Sequence, residues 1–317
     1  MAKTASPPRP SGSKGKSRPQ TNRRRGAPQP WYQRVGATGW FVMAALVAIA
    51  AFALLQREPA VPEGPQSLPV VGADLHSLVV DPEDPKRLFI GSHQGVSVST
   101  DRGETWEVIE SLNGADAMGW AFTDDAIYVG GHPGLSVSTD NGKTFEMRND
   151  GLPNTDIHAL GAGDGVVYAA SPGAGFMAST DGGNTWEVRN EQVGGAFMGK
   201  ILVDPDDPDH IVAPDMRAGA AESTDGGKTW DALGGLQGAA WVTWDPTDTA
   251  DIIVVSTGAA QRSTDGGATW DAVEIPAGAS MIEFSPDDPE TLYAAVHEDL
   301  EARVWISTDD SQTWEQL

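Results

Sequence analysis

From residue 75 onward the chain is a succession of short apolar runs, rich in Val, Ile and Leu, broken by Asp-Pro and Gly-containing polar stretches. Runs of that length and composition, bounded by turn formers, predict strands rather than helices. The first stretch, LHSLVVDPEDPKRLFIGSHQGVSVSTDRGETWEVIE, predicts strands at 75–80, 87–92, 96–100 and 105–110. The same order returns with a first strand near 117–122, 157–161, 198–203, 240–244 and 281–285. The domain is therefore expected to be all-β.

An octapeptide, Ser-Thr-Asp-x-x-x-Thr-(Trp/Phe), marks the period. It begins at Ser99, Ser138, Ser179, Ser223, Ser263 and Ser307, roughly every forty residues. Four antiparallel strands per repeat, six times over, predict a six-bladed β-propeller spanning 70–317, whose radial closure hides most strand edges. Every predicted blade is contiguous in sequence. Only Val70 and Val71 are left over to help close the ring.

The octapeptide accounts for itself as structure. Its aspartates, Asp101, Asp140, Asp181, Asp225, Asp265 and Asp309, are expected to accept backbone N–H groups in the turn between the third and fourth strands. Glycine there permits positive φ, and the closing Trp offers a large apolar ring for burial between sheets. STDGGNTW, STDGGKTW and STDGGATW, with STDRGETW, STDNGKTF and STDDSQTW as variants, resemble the Asp-box, the bacterial neuraminidase repeat. The wider pattern, MGWAFTDDAIYVGGHPG at 118–134 with Asp-Pro turns at 81–85 and 204–208, resembles bacterial single-propeller proteins described as glycosyl-hydrolase-like.

The resemblance to sialidases implies three arginines around a sugar carboxylate, plus a Tyr–Glu pair and a further acid. Arg87, Arg102 and Arg262 are expected on the octapeptide face, away from the pocket, and only Arg217 is well placed. Tyr128, Tyr168 and Tyr293 share one mid-strand position, which predicts core packing. Sialidase chemistry is disfavoured on these grounds, and a shared fold does not by itself confer hydrolysis.

Charge divides the chain. Residues 1–37 carry nine Lys/Arg and no acid, whereas the remainder holds 12 basic and 45 acidic residues, a net −33. Such a surface repels phosphate, which argues against nucleic-acid binding. Residues 1–34 are too polar to pack and are expected to be disordered. Residues 35–56 lack charge and suit one membrane-spanning signal anchor, with Trp31, Tyr32 and Trp40 where an interfacial aromatic belt would lie; a cleaved signal peptide is the rival reading. The basic tail then predicts a cytoplasmic N-terminus, a single pass through the cell membrane and an extracytoplasmic propeller. Residues 57–69 read as a stiff Pro-rich linker. There is no cysteine, hence no disulfide, thiolate site or lipoprotein anchor.

The histidines carry the candidate chemistry. At one first-strand position the repeats hold His76, Met118, His158, Met198, Trp241 and Met281. At the end of the second strand they hold His93, His132, Pro172, Asp215, Thr257 and His297. Two residues before the first set stand Asp74, Asp116 and Asp156. Strand direction puts all of these on the propeller face opposite the octapeptides, near the axial mouth. His76, His93, His132, His158, His297 and Met118 are therefore candidate metal ligands. Imidazole suits zinc or copper and thioether sulfur leans to Cu(I), while a nearby Asp can ligate or fix an imidazole tautomer.

Asp74, Asp116 and Asp156 are alternatively candidate catalytic carboxylates for a glycan, with Trp120 and Trp241 as candidate sugar platforms. A small ligand, metal ion or glycan at the axial pocket, a membrane contact through the N-terminal helix, and a protein partner at the rim are the partners this reading allows. The expected function is a binding module holding a transition metal, the alternatives being a glycoside hydrolase and an envelope scaffold.

Overall fold

The computed structural model describes residues 64–317. The expected tail, the span at 35–56 and most of the linker lie outside the described residues. Among the described residues no helix is long and apolar enough to cross a membrane.

Six four-stranded antiparallel sheets follow one another in sequence, each in simple up-and-down order, as blades of a propeller. Blade 1 consists of Ser77–Val80, Leu88–Ser92, Gly95–Ser99 and Glu107–Val108, within two residues of the predicted bounds. The inner strands of the other blades start at Gly119, Ala159, Leu202, Trp241 and Ala279. Blade 4 departs from the regular pattern. Its predicted first strand, 198–203, is split: Gly199–Lys200 pairs in parallel with Ala159 and Leu160 of blade 3, and only Leu202–Val203 joins blade 4.

Close approach of the inner strands explains two glycines. A Cβ on Gly119 would lie 2.6 Å from the Leu160 amide, and one on Gly161 would lie 2.2 Å from the Ile201 carbonyl oxygen. Side chains at these positions would force neighbouring blades apart. The largest buried cluster runs from blades 5 and 6 through blade 1 into blade 2, around Trp241, Tyr293, Phe89 and Trp120.

Ring closure has a specific device. The segment before blade 1 bridges the last blade through Val70 and Glu301, and the Val71 and Gly72 amides both donate to the Leu300 carbonyl. Gln66 pairs with Trp106 of blade 1, and Val71 is fully buried. The two leftover valines therefore belong to a strap clasping the first and last blades.

All six octapeptide turns share one hydrogen-bond pattern. The serine hydroxyl donates to the aspartate, which also accepts the threonine amide and hydroxyl. At Asp181 these three distances are 2.8, 2.8 and 2.6 Å, and the same set recurs at Asp101, Asp140, Asp225, Asp265 and Asp309. These donors hold the carboxyls of Asp140, Asp181 and Asp225 at about 2, below their ordinary 3.8. A lowered folded-state pKa gives stability that is present above the unfolded value and lost as pH falls toward the folded one. Wild-type protein is therefore expected to lose stability between about pH 4 and pH 2. The triple variant Asp140→Asn, Asp181→Asn, Asp225→Asn should show a flatter loss in acid denaturation followed by circular dichroism. Parallel curves would show that these turns do not govern the acid limb.

The arginines sit on this same face and staple blades together. Arg87 donates to the Asn141 carbonyl of blade 2, Arg102 to Asp287 of blade 6, and Arg262 to Asp251 and across to Asp310 of blade 6. Tyr128, Tyr168 and Tyr293 are buried as expected.

Candidate metal centre

On the opposite face, the loops entering the inner strands of blades 1, 2 and 3 and the turns leaving the second strands of blades 1 and 2 bring seven side chains into one arc. The His76, Met118 and His158 amides bond the second strand at matching places, Gly91, Gly130 and Ala170. Their side chains therefore leave neighbouring blades at equivalent heights. His93 and His132 occupy the following turns, and Asp74, Asp116 and Asp156 the preceding loops.

Two groups of three converge: Asp74, His76 and His93, and His132, Asp156 and His158. In the first, His76 Nε2 lies 3.0 Å from His93 Nδ1 and 3.6 Å from Asp74 Oδ2, and His93 Nδ1 is in close contact with Asp74. In the second, Asp156 Oδ1 lies 2.7 Å from His132 Nε2 and 2.8 Å from His158 Nε2. Asp116 stands between the groups. Its Oδ2 accepts a hydrogen bond from His132 Nδ1 at 2.6 Å, and its Oδ1 lies 3.2 Å from His76 Nε2.

Two oxygens in this arc are shielded from solvent and have no hydrogen-bond partner: Asp116 Oδ1 and Asp156 Oδ1. Imidazole nitrogens stand close to each: His76 Nε2 at 3.2 Å from Asp116 Oδ1, and His132 and His158 Nε2 at 2.7 and 2.8 Å from Asp156 Oδ1. Burying an unpaired carboxylate oxygen is costly. Nitrogen and oxygen lone pairs converging on a common point are what a cation requires, because ligands at about 2.0–2.2 Å from zinc stand roughly 3 Å from one another.

Burial lowers the His76 pKa below its ordinary value, against the pull of Asp116 and Asp74, which favours the neutral ring that binds metals. The Asp116 hydrogen bond raises that of His132. His93 and His132 are about half exposed, at 55% and 50%, so the arc opens to solvent.

His297 does not join the arc. Its expected turn position is instead inside an extended ladder, since the blade 6 hairpin adds the pairs His297–Ala302 and Glu298–Glu301. Its Nε2 donates to the Gly72 carbonyl at 2.9 Å, fastening the closing strap. Met118 is buried and, with His76, Met198 and Met281, lines an axial pocket of about 160 Å³, outside both three-residue groups.

The predicted equivalence of Trp241 also fails by one residue. The Ala240 amide takes the matching bond, to Val255, so Trp241 turns into the core. A one-residue shift reverses the facing of a strand side chain. Trp120 and Trp241 are both buried and cannot stack on a sugar. Arg217 pairs with Asp215 on this face, and no second predicted arginine joins it.

Sequence reasoning missed a charged cluster deeper along the inner strands. Both Nζ contacts of Lys200, at 3.1 and 2.8 Å, go to Glu283, which also accepts from Trp241 Nε1 and Thr243 Oγ1. This ties the split strand between blades 3 and 4 to blades 5 and 6. Its signal was a lone charge within each of two apolar runs, GKILV and MIEF. His210, the sixth histidine, is satisfied by Asp204 and Glu222, each at 2.9 Å, apart from the arc.

Known proteins share the fold. The model of the Sortilin-Vps10 family (sortilin, neurotensin receptor 3) matches residues 218–317, and no curated protein sequence gives a significant match. Among solved structures, a GH74 xyloglucanase from Xanthomonas campestris is 17% identical with a TM-score of 0.56, covering 81% of this chain and 47% of its own. A GH74 enzyme from Niastella koreensis is 15% identical with a TM-score of 0.58, covering 79% and 47%. This chain thus spans about half the length of those enzymes. YCF48 bound to D1 peptide is 15% identical with a TM-score of 0.51, covering 81% and 86%. At these identities the likeness is one of fold.

Proposed function

We propose that this chain is a metal-binding propeller module whose His/Asp arc takes a divalent transition metal, zinc or copper. The observation that carries the reading is Asp156 Oδ1, buried, without a hydrogen bond and flanked by two imidazole Nε2 atoms at 2.7 and 2.8 Å. Each group offers two imidazoles and one carboxylate. These are nitrogen and oxygen donors suited to Zn²⁺ or Cu²⁺, rather than the thioether set that selects Cu(I). We read the six octapeptides as Asp-boxes with a purely structural role, and residues 35–56 as a signal anchor that holds the module outside the cytoplasm. The arc would then meet the metal pool of that compartment.

The test is metal analysis of full-length protein made without a histidine tag, stripped with chelator and reloaded. Retained zinc or copper is expected in wild type, and a lower content in His93→Ala/His132→Ala. A wild type that retains neither ion would sink the reading.

A glycoside hydrolase using two of Asp74, Asp116 and Asp156 is the second reading, supported by the fold likeness to GH74 enzymes. At the site, however, these carboxylates are engaged by imidazoles. Glycan hydrolysis that disappears in Asp116→Asn would favour it. A scaffold that grips a protein segment is the third, on the model of YCF48 with its D1 peptide.

A further inference from the structure

We propose that the arc holds two ions rather than one, coupled through Asp116 and His132; this rests on the metal-binding reading above. The donor atoms fall into two sets with no atom in common. The first comprises His76 Nε2, His93 Nδ1 and Asp74 Oδ2, with Asp116 Oδ1 3.2 Å from His76 Nε2 as a fourth. The second comprises His132 Nε2, Asp156 Oδ1 and His158 Nε2.

Between the sets lies a hydrogen bond, not a gap. Asp116 Oδ2 accepts from His132 Nδ1 at 2.6 Å. The proton there fixes the tautomer of His132, leaving its Nε2 lone pair for the second ion. One carboxylate thus serves the two ions differently, as a ligand to the first through Oδ1 and as the support of a ligand to the second through Oδ2. His93 Nε2 also lies 3.3 Å from this Oδ2, so Asp116 stands against an imidazole of each group, while the ligand atoms themselves form two separate threes. Asp116 is 4% exposed, and its unpaired Oδ1 accounts for one of the two orphaned oxygens of the arc. Asp156 Oδ1 in the second set accounts for the other.

The relay has a direction. An ion on Oδ1 draws charge from the Asp116 carboxylate, weakens it as an acceptor for His132 and so makes His132 a poorer ligand. Repulsion between the two cations acts the same way. The second ion should bind more weakly than the first, within the 5–150-fold span of ordinary coupling between sites. Asp116→Asn removes the charge while keeping one oxygen, and affinity for the second ion should fall about 10–100-fold, as for other lost supporting partners.

The experiment titrates chelator-stripped, tag-free, full-length protein with Zn²⁺ by calorimetry, with metal analysis of the loaded protein. Copper loading followed by electron paramagnetic resonance reads dipolar broadening between neighbouring ions. Two equivalents in wild type, one in His76→Ala and one in His158→Ala are expected, with far-ultraviolet circular dichroism confirming that each variant is folded. One equivalent in wild type overturns the two-ion proposal and leaves the metal-binding reading standing. None overturns both. Loss of all metal from a folded single-histidine variant also overturns the proposal, since it would show one shared site. The wild-type stoichiometry decides the matter even where a variant fails to fold.

Discussion

Replacing Lys200 with methionine is expected to destabilise the propeller by about 3 kcal/mol at neutral pH, the lower end for breaking a buried ion pair. The lower end applies because the Lys200 side chain keeps 28% of its surface exposed, whereas Glu283 keeps only 2%. Glu283 receives four donor contacts, from Lys200, Trp241 and Thr243. Without the ammonium, the remaining neutral donors are weak compensation for a buried charge. Burial already raises the Glu283 pKa above the ordinary glutamate value, with Lys200 the chief opposing influence.

The sign of the pH dependence follows. A carboxyl whose folded-state pKa is raised favours the folded state while protonated, and that contribution is lost as pH rises from the unfolded value through the folded one. Lys200→Met should therefore lose stability, relative to wild type, as pH rises above the usual glutamate range. Adding Glu283→Gln should recover much of the loss, since a neutral amide still accepts from Trp241. Urea denaturation at several pH values reads both effects. A loss below about 1 kcal/mol, the size of an exposed pair, would show that the contact is not a buried one.

Saturating metal is expected to raise the melting temperature by roughly 5–10 °C at one hundred times the dissociation constant. Binding at that excess contributes about 2.7 kcal/mol, and about 1 kcal/mol moves a domain of this size by 2–4 °C. Chelator should reverse the shift. The double variant His76→Ala/His158→Ala removes one imidazole from each group and should lose it altogether. Neither residue belongs to the hydrophobic core, so the metal-free melting point should change little. An equal shift in the double variant would place the bound ion elsewhere, for instance on the acidic surface.

The periodicity of the chain made much of the fold legible. Strand bounds in blade 1, the six-blade count and the turn chemistry of Asp101 through Asp309 are local matters, set by residues within a few positions of one another. Equivalent positions also gathered all seven residues of the arc in advance, because a repeat copies strand direction along with sequence. His297 shows where that reasoning stops. It aligns with His93, but two extra ladder pairs keep it within a hairpin, and it fastens the strap instead. Trp241 shows the same limit, since one residue of slip before its strand turned it inward.

Sequence by itself determined that this protein is an all-β repeat with blades built around six aspartate turns, and that its histidines favour the face opposite those turns. Only the tertiary structure decided which of them meet. It chose four histidines and three aspartates from blades 1 to 3, set Asp116 between two groups, and buried Glu283 against a lysine from another blade. The reason is physical: periodicity encodes which face a side chain takes, whereas contact across blades depends on loop lengths, register and the curvature of the closed ring, which no single repeat contains.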